Sequence, residues 1–286
     1  MKISIETVMA RRSTRSYLPK AIAATERDAL AELVAAPGSA PFGTAARFAL
    51  VGPEFAGGSA LKSGRIGTYG VIKGAPAYIV GCVKPGPLAF VDYGYLLEGI
   101  ILSAAALGLG TCWLGGIFDR KASGAALGLK TDELVPAITP VGYPAENASL
   151  ADRLIRFSAR SSSRKPFGEL FFAGAWDRPL DQGDPVATAL EAVRRGPSAS
   201  NKQPWRIIRA GGARGGDAYH LYLMEDALYS RAIPGIVLQD MDAGIAMRHL
   251  EIGAGAVGVK GSWRRLDADP VPATPPLRYI ASFELC

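Results

Sequence analysis

Asp92-Tyr93-Gly94-Tyr95-Leu96-Leu97-Glu98-Gly99-Ile100-Ile101-Leu102-Ser103-Ala104-Ala105-Ala106-Leu107-Gly108-Leu109-Gly110-Thr111-Cys112-Trp113 has a counterpart 150 residues further on. Asp92, Gly94, Gly108 and Trp113 match Asp242, Gly244, Gly258 and Trp263 in a single register. In each copy an aspartate opens a long run of apolar and small residues, and glycine then tryptophan close it. That pattern reads as a long buried helix followed by a turn, written twice. At a spacing of 160, Leu30, Leu33 and Pro37 align with Leu190, Val193 and Pro197. The chain therefore reads as a degenerate internal duplication. Such a chain folds as a covalent version of a two-fold homodimer, with the long helices buried at the pseudo-interface.

Two decoys lie in these stretches. Gly99 to Ile117 carries no charge over nineteen positions, which meets the length rule for a membrane span. Asp92 and Glu98 precede it closely, however, and Gly108, Gly110, Gly115 and Gly116 break its second half. It reads as a buried helix and a turn. Gly253-Ala254-Gly255-Ala256-Val257-Gly258 fits GxGxxG. It falls inside the second long helix, not between a strand and a helix as the dinucleotide fingerprint requires. Small residues there and at Ser103, Ala105 and Gly108 signal close helix packing instead.

Outward from the helices, the first half reads as helix, strand, strand, long helix, strand. Thr25 is the expected cap of a helix whose stripe is Leu30, Leu33 and Val34 and which stops at Pro37-Gly38. Arg47–Val51, Ala77–Gly81 and Leu134–Val141 are expected strands. Residues 144–165 form an Arg- and Ser-rich arm, and residues 171–183 read as loop. The order then repeats. Asp184-Pro185 opens a helix that stops at Gly196-Pro197. Strands follow at Arg206–Ile208, His220–Met224 and Leu277–Leu285.

The 286 residues are 49% hydrophobic and 20% charged, enough for one large core or two smaller ones. A net charge of +6 favours anionic ligands. Without a long Lys/Arg run or basic tail, nucleic acid is not the expected partner. Cys82, Cys112 and Cys286 are too few and too scattered for a disulfide framework or a CxxC metal site. His220 and His249 are the only histidines, and they read as structural or surface residues, so no metal centre is expected. The N-terminus lacks an apolar signal core, and the expected location is cytoplasmic.

Gly196-Pro197-Ser198-Ala199-Ser200-Asn201-Lys202-Gln203-Pro204-Trp205-Arg206 combines a turn, small side chains, two amides and one large flat ring. Such a loop suits a planar, hydrogen-bonding ligand. The plainer reading is a helix-to-strand connection closed by Pro204. Near the N-terminus, Arg11, Arg12, Ser13, Thr14 and Arg15 make a compact anion-binding set, or otherwise a solvated helix end.

Taken with Gly108–Gly116, Val141–Glu146 and Arg164-Lys165-Pro166, these segments resemble the FMN-dependent nitroreductase family. The resemblance is nearest to its single-chain fused branch, the TM-nitroreductase type, and spans most of the chain. It implies an α+β fold, a mixed and largely antiparallel sheet flanked by helices, internally duplicated as a pseudo-dimer. The expected halves are residues 1–172 and 173–286, intertwined around one composite site. In that family the Arg-Arg-Ser-x-Arg segment contacts the flavin, which falls here on Arg11, Arg12, Ser13 and Arg15. The segment after the tryptophan lies beside the isoalloxazine, here Leu114, Gly115 and Gly116. Basic residues after the last strand of a half hold the phosphate, here Arg164 and Lys165. The Pro-Ser-x-x-Asn loop comes from the partner half, here Pro197, Ser198, Ala199, Ser200 and Asn201, with Gln203 added. Thr68 and Tyr69 are further expected neighbours of the flavin.

The pattern is broken in the mirror-image places. Ala36–Phe42 lacks the Asn, Gln and Trp of the second loop, and Trp263 is followed by Arg264-Arg265, not Gly-Gly. One FMN per chain is expected. The implied activity is an FMN-dependent oxidoreductase that uses NAD(P)H to reduce nitroaromatic, quinone or related acceptors. The alternative is a flavin-binding or storage protein with little turnover. No side chain is required as a general base for hydride transfer, so no catalytic residue is assigned. A monomeric pseudo-dimer or weak oligomer is expected, without membrane association.

Overall fold

The structure is a computed structural model that describes residues 3–52, 68, 70–116, 118–145, 163–213, 215–226 and 233–286. Tyr69, Glu146, Ser161 and Ser162 lie outside the described residues, as does most of the expected arm.

The first half contains α1 (Ile5–Ala10), α2 (Ala24–Ala35), β1 (Ala46–Val51), β2 (Ala77–Val83), α3 (Ala89–Ala106), β3 (Gly110–Thr111), α4 (Arg120–Leu127) and β4 (Ile138–Gly142). The second contains β5 (Phe171–Ala173), β6 (Ala175–Pro179), α5 (Ala187–Arg195), β7 (Trp205–Gly211), β8 (Asp217–Met224), α6 (Leu238–Ala256), β9 (Gly261–Arg264) and β10 (Leu277–Leu285). The strands form two sheets, ordered β1-β2-β4-β3 and β6-β5-β7-β8-β10-β9. The inner order of the second sheet, β7-β8-β10-β9, repeats the first strand for strand. All pairings are antiparallel except β5 with β7. The fold is therefore the expected duplicated α+β arrangement.

The two long helices cross at matched glycines. A Cβ on Gly94 would overlap the backbone of Met241, and one on Gly244 would overlap Val91, Tyr95 and Gly94. Val91 and Met241 are themselves equivalent at the spacing of 150. Each helix thus offers the other the same contact, the signature of an isologous interface. Between residues 89 and 104 α3 is buried on every face, so it is the core helix that its missing charges suggested. Full burial of side chains such as Leu97, Ile101 and Leu102 contributes about 1.5–3 kcal/mol each.

Several local expectations shift. Thr25 lies inside the first turn of α2 rather than capping it, because that helix starts one residue earlier after Ala23. Asp92 and Asp242 do not open the long helices; they lie one turn inside. Their carboxylates are buried and hold the loop after the preceding short helix. Asp92 accepts from the Phe42 and Thr44 amides at 3.1 and 2.9 Å, and Asp242 from the Ala199 amide at 2.9 Å. The 171–183 stretch is not all loop, since β5 and β6 form a tight hairpin through Gly174 at positive φ.

Candidate functional site

The segment after α5 is built from both ends. The Asp242 carboxylate fixes Ala199, the Ser198 hydroxyl accepts the Gln203 amide at 2.8 Å, and the Arg206 guanidinium donates to the Gln203 carbonyl at 3.2 Å. Ser200, Asn201 and Gln203 all take positive φ. For side chains with a Cβ, such conformations cost on the order of 1–3 kcal/mol each and persist only where the surroundings enforce them. Trp205 is the exception to the expected role of this loop. It opens β7, is fully buried in the core, and offers no ring to a ligand.

The loop meets the basic residues that follow the first half. Arg164 donates to Asn201 Oδ1 at 3.1 Å and to the Arg195 carbonyl at 3.2 Å, and Asn201 Nδ2 donates to the Ser163 carbonyl at 3.0 Å. The Lys165 amide donates to Gln203 Oε1 at 2.9 Å. Arg194 reaches the Lys165 carbonyl at 3.2 Å. Burial lowers the pKa of Arg164, and the charges of Arg11, Arg12, Arg194 and Arg195 lower it further. Five guanidinium groups from three segments therefore share one field. Lys165 is also lowered, by burial first and then by Arg206 and Lys202. Arg194 and Arg195 were not among the residues expected from the sequence. Both pair with Glu191 on their own helix, a pattern that reads as an ordinary helix surface.

On the first-half side, Arg11 follows α1 and is buried. Ser13 runs parallel to Thr111, and the Thr14 amide donates to the Thr111 carbonyl at 2.8 Å. The Arg-Arg-Ser segment is thus an extension of the first sheet beside β3. Gly110 is required there, because a Cβ would meet the Thr14 side chain at 2.5–2.8 Å. Arg12 turns back to the Met9 and Arg11 carbonyls, both at 2.9 Å. Arg15 is tied through its carbonyl, which accepts from the Lys73 amide at 2.8 Å. Leu114 exchanges both backbone hydrogen bonds with Ile138, so its N–H is engaged and cannot face a ligand. Gly115 and Gly116 are the remaining amides of that segment. The Gly115 carbonyl accepts from Arg120, and a Cβ at Gly115 would press on Leu238 at the start of α6. Thr68 is buried.

Beneath this surface lies a network that sequence reasoning missed. Glu98 is fully buried. Trp113 Nε1 donates to its Oε2 at 2.6 Å, His249 Nε2 lies 2.8 Å from its Oε1, and Arg11 Nε lies 4.0 Å from the same oxygen. The available signal was a carboxylate in an otherwise apolar helix and one of only two histidines, 151 residues apart; only the fold joins them. His220, by contrast, is a core residue bound to Ser282 at 2.7 Å.

Among the described residues, Arg11 Nη1 and Thr111 Oγ1 are buried beside this seam with no hydrogen-bond partner. An unpaired buried donor costs about 1–3 kcal/mol, so a cationic cluster with an unused donor fits an anionic group. A phosphate meets that description. A separate depression of about 400 Å³ is lined by Lys165, Lys202, Pro204, Met224, Glu225, Asp226 and Gln239. Of the expected residues it includes Lys165 alone, and its two lysines are balanced by Glu225 and Asp226.

Residues 4–254 match the family model described as "Putative TM nitroreductase". Among solved structures, the chain is similar to a "putative nitroreductase" from Thermotoga maritima MSB8, at 19% identity and a TM-score of 0.62. That match covers 100% of this chain and 94% of the other. It is also similar to a nitroreductase with bound FMN from Bacteroides fragilis, at 28% identity and a TM-score of 0.39, over 51% of this chain and 90% of the other. An FMN-dependent nitroreductase from Clostridium difficile R20291 matches at 22% identity and a TM-score of 0.40, over 51% of this chain and 90% of the other. No curated protein matches the chain.

Proposed function

Because the chain belongs to the TM nitroreductase family, we propose that it is an FMN-dependent oxidoreductase with one composite site at the seam of its halves. The observation that supports this reading is geometric: Arg164, from the segment after the first half's last strand, meets Asn201 and the Arg195 carbonyl of the second half, and Arg11 is buried. Arg194 and Arg195 pair with Glu191 and Arg11 approaches Glu98, so the cluster is partly compensated, while Arg11 Nη1 is left without a partner among the described residues.

Arg11, Arg12, Arg164 and Lys165 would hold the FMN phosphate, with Arg194 and Arg195 adding field. Charge-assisted hydrogen bonds of this kind are worth about 1.5–3 kcal/mol each. Ser13 and Arg15 would follow the ribityl chain and the pyrimidine edge. Arg15 or Arg12, charged at any working pH, would stabilise negative charge near N1 and O2. Gly115 and Gly116 would present amides toward N5, while Leu114 keeps the turn attached to β4. The second half would close the site with Pro197, Ser198, Ala199, Ser200, Asn201 and Gln203. Thr68 stays a candidate neighbour. Bound there, FMN supplies two-electron transfer from NAD(P)H to a nitroaromatic, quinone or related acceptor. The proposed halves are residues 1–172 and 173–286, with β5 at that border pairing with β7 of the second half. The expected working unit is a monomeric pseudo-dimer or a weak oligomer of it, in the cytoplasm.

Anaerobic stopped-flow mixing of the FMN-loaded protein with NADH and with NADPH tests the activity. Bleaching of the flavin absorbance by either nucleotide supports it. A flavin that neither bleaches contradicts it and leaves a flavin-holding protein.

A further inference from the structure

Glu98 and His249 meet across the two long helices, one from each half, and their protons can be counted. His249 Nδ1 lies 2.9 Å from the Ala192 carbonyl, which only accepts, so Nδ1 carries hydrogen. Nε2 lies 2.8 Å from Glu98 Oε1, so one more proton sits between them. Whether that proton is drawn on the ring or on the carboxyl, the pair as a whole has no net charge. Glu98 Oε2 is occupied by the Trp113 indole. Arg11 stays at 4.0 Å, a loose approach for a guanidinium and a carboxylate in a buried site.

The mirror-image place shows that the fold does not need this arrangement. At the spacing of 150, Glu98 is replaced by Arg248, His249 by Gly99, and Trp113 by Trp263. Trp263 Nε1 is buried there with no partner among the described residues, and Arg248 turns to Tyr95 at 2.7 Å. The network exists only on the side where Arg11 and the Arg164 cluster lie. It therefore serves the site and not the helix crossing.

We propose that His249 is a positioning residue: by neutralising Glu98 it stops that carboxylate from claiming Arg11, and so keeps the Arg11 guanidinium available to the ligand's phosphate. Glu98 is needed to orient Trp113 and the glycines after it, and a bare carboxylate there would draw Arg11 inward. The inference rests on the FMN reading above.

The test is the ratio of riboflavin to FMN dissociation constants, measured by flavin fluorescence on the full chain, because only FMN carries the phosphate. Wild type is expected to prefer FMN. His249→Gln keeps a donor to Glu98 but removes the ring's proton count, and should reduce that preference by about tenfold or more while riboflavin affinity barely moves. The double variant Glu98→Gln/His249→Gln removes the competing carboxylate as well, and should restore the preference to within about threefold of wild type. Equal weakening of both flavins in the single variant, or no rescue in the double, overturns the proposal. If the single variant does not fold, Glu98→Gln alone decides it. That variant should keep the wild-type preference, and a tenfold fall overturns the proposal. Wild type that binds neither flavin overturns the FMN reading itself and the inference with it, an outcome visible before any variant is made.

Discussion

Gly94 and Gly244 occupy equivalent positions on α3 and α6 and face each other where the helices cross, each without room for a Cβ. The atoms in the way belong to backbone, so no side chain can swing aside. Gly244→Ala should destabilise the chain by about 1–3 kcal/mol, the usual cost of overpacking, with Gly94→Ala similar. Urea unfolding measures it. Ala at Gly255, where a Cβ would meet nothing, should be tolerated, and equal effects at the two sites would refute the crossing described here.

Asp242 is buried and its pKa is held well above its ordinary value of 3.8, chiefly by loss of solvation, with the Ala199 amide opposing and Asp240 adding. For an acid whose folded pKa is raised, the folded state holds the extra proton. The associated stability is fully present below the unfolded pKa and is lost as pH rises toward the folded one. Asp242→Asn keeps an acceptor for Ala199 and has no proton to lose. Its Tm relative to wild type should therefore climb as pH rises above the ordinary carboxylate range. A pH-independent difference would show that Asp242 does not titrate in this range.

Glu133 behaves in the opposite sense. Arg47 grips it through two hydrogen bonds, at 2.9 and 2.6 Å, and holds its pKa at about 2. The stability this pair provides is present above the unfolded pKa and fades as pH falls from about 4.5 to about 2. Arg47 is partly exposed, so solvent screening limits the contribution to about 1 kcal/mol. Glu133→Gln should cost that amount at pH 7 and progressively less as pH falls through about 2, read from denaturant midpoints.

Arg164 joins the loop through Asn201 and the end of α5 through the Arg195 carbonyl. Arg164→Met should weaken FMN binding by about ten- to a hundredfold, corresponding to about 1.5–3 kcal/mol for a lost charge-assisted bond. Asn201→Ala should cost less, since it removes only a neutral support. Isothermal titration distinguishes the two, and an Arg164 variant that binds FMN normally would remove that residue from the site.

Much of this was legible because duplication leaves a mark that survives divergence: a shared register of Asp, Gly, Gly and Trp in helices that must touch. The loop at 197–203 and the Arg-Arg-Ser segment stood out by residue type. The β5–β6 hairpin did not, because strands of three and five residues around a glycine turn look like loop. Trp205 misled for a physical reason. A tryptophan after proline reads as an exposed platform, yet it is the first inward residue of β7. Glu98, His249, Arg194 and Arg195 were unreadable as a set, because each gains its meaning only from residues on the other half or across the seam.

Of the two pseudo-equivalent clefts, one is proposed to keep every binding element and the other none. Titration of the purified, flavin-free chain with FMN, followed by absorbance and calorimetry, tests it directly. The account predicts saturation at one FMN per chain. Saturation at two, or no uptake at all, would contradict it.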